Sequence, residues 1–472
     1  MTPYHLFVYG GRPFAYHLGL GKCLSVSPEA YYLLTLRQTM SKAEATQAFL
    51  AKRPDSEAVV RETETLEDCG FFEPAETGFE TDDERFEQAL SRRYEKEPWN
   101  HLELSLSERC NLACRYCYCG TCRDELPNNG LMPWETAKLA IDWLFARCGG
   151  QDVSVTFFGG EPLLNKEVLK RAVAYCREQA SAKGVKATFV TTTNATLMDD
   201  ETAELIARNN FGLMVSLDGP QDLHDAQCPT RDGSGSWALA VAGIRRLMKA
   251  RKRVTVRCTM AHPIPDMLAL VRFFTDFGFT RIVLGSVENP QFPSACDFTD
   301  EDRAFEERQL TEKVVPWMLA ELAAGRKPVY DPFADIEEAF KSAEPPTPSF
   351  FHCGACRGNM TVGADGTLFP CHRFVGLRAW TLGSAEKGPD VDRCRKFWRD
   401  YRACVKEHCA GCWAYRLCGG PCPWRIARAD GTFAMDTSVC EEAKRRICQG
   451  AWYLELKKEQ TNKEQQKGEI RK

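Results

Sequence analysis

The sequence predicts an α/β fold: a partial (β/α)6 barrel of the TIM type, preceded by a small sheet-and-helix domain and followed by a cysteine-rich domain. Three observations carry this. Strand-like and helix-like runs alternate from Leu102 to Gly285, the pattern of a parallel sheet with crossover helices. The chain up to Phe72 reads as a hairpin and a third strand followed by helices, and eleven of the 23 cysteines crowd between Cys353 and Cys448.

At 472 residues the chain has room for two to four domains and a sizeable core. With 44% hydrophobic residues, 27% charged residues, a net charge of -4 and no basic stripe, no nucleic-acid partner is expected. No run approaches the roughly 18 apolar residues of a membrane span. Met1-Thr2-Pro3-Tyr4-His5-Leu6 lacks the basic and apolar regions of a secretory signal. The expectations are a cytoplasmic location, no membrane partner, and clustered cysteines that serve as metal ligands rather than disulfides. The cysteine count is odd, which rules out complete pairing within the chain.

Residues 4–9 and 13–18 flank Gly10-Gly11-Arg12 as a β-hairpin, and Lys22 to Val26 adds a strand. Ser27-Pro28-Glu29 opens a helix with a capping residue, a first-turn proline and an acid. Helical patterns follow at 41–53 and 56–69, and Gly70-Phe71-Phe72 closes a domain of residues 1–75. Residues 76–100 read as a linker holding one charged helix from Asp82 to Lys96. The barrel, residues 101–290, has strands at 102–107, 153–158, 187–192, 212–217, 253–259 and 280–285, with helices at 133–147, 166–182, 199–208, 236–250 and 265–277 between them. In such barrels chemistry sits at the C-terminal ends of the strands. Residues 291–349 form a bridge with a charged helix from Glu301 to Ala324 and a Pro-rich exit at 344–348. Residues 350–450 hold the cysteine field, and 451–472 form a charged tail, read as unstructured from Lys457 because it lacks an apolar period.

Directly after the first barrel strand stands Cys110-Asn111-Leu112-Ala113-Cys114-Arg115-Tyr116-Cys117. Three thiolates at C-x3-C-x2-C on one loop can hold three irons of a [4Fe-4S] cluster and leave the fourth open to a small molecule. After the second strand, Gly159-Gly160-Glu161-Pro162 joins two glycines that let backbone approach a ligand closely to an acceptor suited to an ammonium group. Asn194 ends the third strand, and Ser216 and Asp218 end the fourth. Arg257 lies on the fifth, where a guanidinium can pair with a carboxylate. Cys119 and Cys122 read as bystander thiols.

The cysteine loop, with Tyr116 just before its third cysteine and Gly-Gly-Glu-Pro one βα unit later, resembles the signature of the radical S-adenosylmethionine (SAM) enzymes. The resemblance implies that Cys110, Cys114 and Cys117 are the catalytic cluster ligands and that SAM chelates the open iron. It also implies that Tyr116, Gly159, Gly160, Glu161, Pro162, Asn194, Ser216, Asp218 and Arg257 surround SAM or shape the substrate pocket. An external one-electron reductant such as flavodoxin or ferredoxin belongs to the same expectation.

Farther on, Cys356-x9-Gly366-x4-Cys371, then Cys409-x2-Cys412-x5-Cys418-x3-Cys422, then Cys440 resemble the SPASM domain, an auxiliary-cluster module of radical SAM enzymes that modify peptides and proteins. That resemblance implies two more [4Fe-4S] clusters, three in all. The distal one is held by Cys409, Cys412, Cys418 and Cys440, and the proximal one by Cys371, Cys422 and a cysteine near the domain's start. Both Cys353 and Cys356 stand there. Three ligands leave an iron open and four close the cluster; the expectation is four, Cys353, Cys356, Cys371 and Cys422. Zinc is the rival for this field, since C-x2-C pairs suit a tetrahedral ion, but it leaves the first loop and Gly-Gly-Glu-Pro unexplained. Cys394, Cys404 and Cys448 read as ordinary thiols.

The order of elements in residues 1–75 resembles the winged-helix-like recognition element of peptide-modification pathways, which binds a precursor's leader as an added strand. A packing role without a ligand is the other reading. Together the resemblances imply a radical SAM peptide maturase acting on a ribosomally made precursor. The layout, with Cys371-His372-Arg373-Phe374-Val375-Gly376, looks most like maturases that form a Cys thioether. A carbon–carbon or carbon–oxygen cross-linker, a sulfatase-type maturase, and an iron–sulfur carrier or peptide-binding scaffold without turnover are the alternatives.

Overall fold

The computed structural model describes residues 2–118, 127–251, 253–287, 293–342, 344 and 350–470. Cys119, Cys122 and the prolines of the 344–348 exit lie outside the described residues. Strands β1 (Tyr4–Tyr9) and β2 (Arg12–His17) pair antiparallel across Gly10-Gly11, both at positive φ, where glycine escapes the Cβ clash that other residues meet. Strand β3 (Lys22–Ser25) adds to β2. Helix α1 (Pro28–Arg37) starts where Ser27 accepts the Ala30 N–H, and α2 (Lys42–Lys52) starts in a capping box between Ser41 and Glu44. Helix α3 (Glu57–Asp68) completes the unit. Its sheet packs on the cysteine-rich region: the Trp413 ring stacks on His5 with centroids 4.3 Å apart and meets Tyr16 edge-on at 5.6 Å. The segment read as a linker is integrated too. In α4 (Asp83–Glu95), Phe86, Leu90 and Tyr94 are buried, while Asp83 and Glu87 reach Arg402 and Arg399 at 2.9 and 2.6 Å.

The barrel follows the expected alternation: β4 (His101–Ser107), α5 (Trp134–Arg147), β5 (Val153–Gly159), α6 (Lys166–Lys183), β6 (Ala187–Thr193), α7 (Asp200–Arg208), β7 (Gly212–Ser216), α8 (Gln221–Gln227), α9 (Trp237–Ala250), β8 (Thr255–Met260), α10 (Met267–Phe277) and β9 (Arg281–Ser286). The six strands run parallel in the order β4 to β9. Side chains alternate along each strand. Val153, Val155 and Phe157, like Leu213 and Val215 or Val256 and Cys258, are buried in the core, each apolar one contributing about 1.5–3 kcal/mol. The alternate positions Thr156, Thr192, Ser216 and Arg257 are only half buried, on the opposite face. Helix α8 was not foreseen: seven residues are too few for a helical period to register.

Beyond the barrel, α11 (Asp300–Gln309), a π-turn at Leu310–Val314, α12 (Val315–Ala323) and α13 (Ala334–Lys341) form the bridge, and Ile282 on β9 donates to Val329 O at 2.9 Å. The cysteine field contributes β10 (Thr361–Val362), β11 (Thr367–Phe369), β12 (Gly383–Ser384) and β13 (Gly388–Pro389). These extend the barrel sheet on its β4 side to ten strands, β10 pairing parallel with β4. Strands of two or three residues carry no readable alternation. Helices α14 (Val391–Cys409), α15 (Tyr415–Cys418) and α16 (Pro423–Ile426) precede α17 (Thr437–Ile470), which corrects the tail reading. One 34-residue helix runs through the expected boundary at 450–451. Its charges are used in tertiary pairs, Lys457 with Glu337 at 2.8 Å and Glu459 with Arg12, while Tyr453 is buried. Among the described residues, no helix is long and apolar enough to cross a membrane.

Candidate active site

The loop bearing Cys110, Cys114 and Cys117 leaves the C-terminal end of β4 and is held from two sides. On one side, Gly160 N–H donates to Ser107 O at 2.7 Å and Glu161 N–H to Arg109 O at 2.9 Å. A Cβ at Gly160 would lie 2.5 Å from the Arg109 carbonyl carbon and 3.0 Å from Cys110 N; one at Gly159, whose φ is +134°, would meet Ser107 backbone. The glycine pair therefore admits the chain's own cysteine loop at backbone contact. On the other side, Ala113 and Arg115 N–H donate to Pro229 and Gln227 carbonyls at 2.8 and 2.9 Å, and Arg231 Nε donates to Cys110 O at 2.6 Å.

Glu161 is buried, and its carboxylate is already occupied: Oε1 accepts from Leu163 N–H at 3.0 Å and Thr193 Oγ1 at 2.7 Å, and Oε2 from Asn194 N–H at 2.8 Å. The side chain expected to receive an ammonium group ties the β5 and β6 ends together through these bonds. Burial pushes its pKa up to about 7 even against these donors. Pro162 starts the short turn that follows and is buried. Asn194 Nδ2 donates to Asn111 Oδ1 at 3.1 Å and lies 3.6 Å from Cys110 Sγ, which also accepts from Leu112 N–H at 3.4 Å. Ser216 and Arg257 are register partners on β7 and β8, and Gly285 leaves space for the Arg257 guanidinium, which a Cβ there would meet at 2.8 Å.

Tyr116 and Asp218, expected to surround SAM or shape the substrate pocket, are hydrogen-bonded to each other. Tyr116 Oη donates to Asp218 Oδ2 at 2.6 Å and lies 3.2 Å from Cys228 Sγ, and Cys228 lies 3.3 Å from Asp218 Oδ2. The sequence reading missed Cys228 and His224. The signal available was Pro220 followed by Asp222, a helix start just after Asp218. Asp218, His224 and Cys228 are the one group of three metal-capable side chains among the described residues whose ligand atoms lie within 4.8 Å of one another. His224 is satisfied without a metal, its Nδ1 accepting from Asp218 N–H at 3.1 Å and its Nε2 bonding Ser236 Oγ at 3.0 Å.

No three of the eleven assigned cysteines draw their sulfurs within that limit, whereas one tetrahedral zinc with Zn–S bonds near 2.3 Å needs sulfurs about 3.8 Å apart. Burial, then Glu161, with Cys114 and Cys117 among the further causes, pushes the Cys110 thiol up to about 12; such crowded thiolates are stabilised by a cationic iron core. In the C-terminal region, Cys409, Cys412, Cys418 and Cys440 influence one another as neighbours, as do Cys353, Cys371 and Cys422. Cys356 neighbours Cys353 and Cys371; it is fully buried at φ +55° and hydrogen-bonded to Cys394. His372, next to Cys371, packs tilted against Phe158 with centroids 4.4 Å apart, bonds Glu103 Oε2 at 3.3 Å, and lines a cavity of about 30 Å³ with Ser105, Glu108, Gly159 and Gly160.

Residues 104–274 match the family model described as the Radical SAM superfamily, so the chain carries a radical SAM domain, with the SAM and iron–sulfur binding that defines that class. An uncharacterized protein of Methanocaldococcus jannaschii is 30% identical over 183 residues, 39% of this chain; the match spans 60% of that protein's length. The serine-type anaerobic sulfatase-maturating enzyme of Klebsiella aerogenes is 25% identical over 349 residues, covering 70% of this chain and 81% of that one. Two solved structures share the fold. Native anSMEcpe with bound AdoMet and Kp18Cys peptide superposes with a TM-score of 0.62 at 18% identity, over 77% of this chain and 99% of that one. Streptococcus suis SuiB bound to precursor peptide SuiA gives a TM-score of 0.53 at 14% identity, over 93% of this chain and 98% of that one.

Proposed function

We propose that this radical SAM enzyme is a peptide maturase that binds three [4Fe-4S] clusters, receives electrons from an external one-electron carrier, and joins a cysteine sulfur of a ribosomally made precursor to a carbon. The observation that carries the reading is the union, in one chain, of the first cysteine loop inside the matched residues 104–274 with the C-terminal run of cysteines at SPASM-like spacing. Cys110, Cys114 and Cys117 would hold a cluster at that loop, and it would supply the one-electron reduction of SAM that starts hydrogen abstraction from substrate. The chain's own residues hold the loop between Gly159-Gly160 and residues 227–231, and Arg257 offers a cation for a carboxylate. Joining a thiol to a carbon radical releases one proton and one electron, and clusters held by the C-terminal cysteines would supply an acceptor for that electron. Residues 1–75 serve the precursor's leader; β3 is an edge strand, open to an added strand. SuiB, whose match extends over nearly all of this chain, was solved with a precursor peptide, which supports that part of the reading.

A second reading, oxidation of one Ser or Cys as in the sulfatase-maturating relatives, is favoured by the match to the Klebsiella aerogenes enzyme over 81% of its length. Anaerobic incubation of the reconstituted enzyme with SAM, dithionite and a short Cys-containing precursor encoded beside its gene, read by tandem mass spectrometry, separates the two. Loss of two hydrogens with disappearance of an alkylatable thiol supports the thioether. A new aldehyde at a single Ser or Cys supports the sulfatase-type reaction, and deoxyadenosine release with an unaltered peptide overturns both for that precursor. Deleting residues 1–75 is expected to weaken precursor binding while uncoupled SAM cleavage persists; equal affinity of truncated and full-length protein refutes the leader role.

A further inference from the structure

We propose, resting on the leader role given above to residues 1–75, that α17 and α13 complete the leader site: an acidic segment of the precursor adds to β3 and lowers an apolar side chain into the groove these helices wall. Strand β3 is the end strand of its sheet. Val26 N–H donates to Pro13 O at 3.1 Å, and the register sets Leu24 opposite Ala15 and Lys22 opposite His17. Bonded and non-bonded pairs alternate along an antiparallel ladder, so Lys22, Leu24 and Val26 turn their backbone groups to β2, while Cys23 and Ser25 turn theirs to the open edge. Among the described residues nothing bonds those outward groups.

The register also fixes what an added strand meets. Cys23 lies opposite Tyr16 and Ser25 opposite Phe14, on the sheet face that packs with Ala451 of α17. Residues of an added strand opposite Cys23 and Ser25 send their side chains to that same face. There a groove of about 540 Å³ opens between β3, α13 and α17, with Phe14, Phe340 and Leu454 in its lining. That volume falls within the roughly 300–1,000 Å³ of binding pockets and takes a bulky apolar side chain. Charge selects the rest of the segment. Four lysines line the groove, Lys22, Lys341, Lys457 and Lys458, against two acids, Glu337 and Glu455. Lys341 and Lys457 share Glu337, at 2.5 and 2.8 Å, and Lys22 Nζ donates to the uncharged Phe340 and Ser342 carbonyls. The excess of cations attracts an acidic segment and repels a basic one.

The test is fluorescence anisotropy of the short Cys-containing precursor encoded beside the gene, labelled at its C-terminus with fluorescein, against the reconstituted full-length enzyme at about 0.05 and about 0.3 M salt. Lys341→Gln/Lys458→Gln leaves the lining neutral and spares the fold, since both side chains are about 70% exposed. It is expected to weaken binding about tenfold at low salt and to abolish the salt dependence of the native affinity. Leu454→Ala is expected to weaken binding about fivefold at either salt. Ser25→Pro removes an outward N–H, leaves the bonds to β2 in place, and is expected to weaken binding more than about tenfold. If Ser25→Pro weakens binding while the other two variants match the native affinity, the leader pairs with β3 without the helices: the proposal is overturned and the leader role stands. If all three bind as the native enzyme does, the leader role fails and the proposal with it. A dimer in sedimentation that Ser25→Pro dissociates puts a second copy of the chain on the edge and overturns the proposal as well. If Ser25→Pro does not fold, as circular dichroism reports, native affinity and salt dependence in Lys341→Gln/Lys458→Gln overturn it instead.

Discussion

Gly160→Ala is a steric test of how the cluster loop is held. The added Cβ would stand 2.5 Å from the Arg109 carbonyl carbon and 3.0 Å from Cys110 N, all backbone, where carbon contacts need about 3.5–4.0 Å. Loop and turn must separate by about 1 Å, which stretches the Gly160-to-Ser107 and Glu161-to-Arg109 bonds. Two net hydrogen bonds at ~0.5–1.5 kcal/mol each plus ~1–3 kcal/mol of overpacking give a loss of about 2–6 kcal/mol. Urea denaturation of the cluster-free protein measures this, alongside SAM affinity after reconstitution. Gly184→Ala is the control: it sits at φ +67° with nothing within 4 Å of its Cβ, so it costs about 1 kcal/mol and leaves the cluster alone. If the glycines served only the approach of a ligand, Gly160→Ala would impair SAM binding while the cluster-free protein kept native stability. That result refutes the packing account.

Other outcomes follow from the same contacts. Glu161 titrates near 7 when folded against 4.5 when exposed, so the folded state holds a proton that the unfolded chain releases. Its contribution to stability therefore falls as pH rises from about 4.5 to 7 and is flat above, and Glu161→Gln is expected to remove that slope from urea midpoints measured across the window. Trp413→Ala removes the half-buried ring that His5 stacks on and Tyr16 meets edge-on, at a cost of about 1–3 kcal/mol; faster amide exchange in β1 and β2 is the expected readout, and unchanged protection argues against docking through Trp413. Breaking the Lys457–Glu337 and Arg12–Glu459 pairs with Lys457→Ala and Arg12→Ala is expected to fray α17 in hydrogen exchange, with little change in overall stability because the pairs are partly exposed.

The barrel was legible because its strands alternate and its helices carry caps, such as Asp199 accepting from Thr202 N–H and Asp266 from Ala269 N–H. The first cysteine loop was legible because its three cysteines fall within eight residues directly after a strand. The partners of Tyr116 and Glu161 were not, since each is set by contacts across the barrel: Asp218 lies 102 residues from Tyr116, and Thr193 lies 32 from Glu161. The α17 tail failed for a related reason. Its charges looked solvated in one dimension, and only the fold brings Glu337 and Arg12 to meet them. Likewise β10 is a strand because β4 offers an edge, which no two-residue pattern announces.

The central claim is that radical chemistry begins at Cys110, Cys114 and Cys117 and that the C-terminal cysteines hold separate clusters. Anaerobically reconstituted wild-type protein and a Cys110→Ala/Cys114→Ala/Cys117→Ala variant, assayed side by side for iron and for 5'-deoxyadenosine released from SAM under dithionite, test it. The account predicts about twelve irons and deoxyadenosine release for the wild type, against about eight irons and none released for the variant. Deoxyadenosine release by the variant, or a wild type holding about four irons with tightly bound zinc, would contradict it.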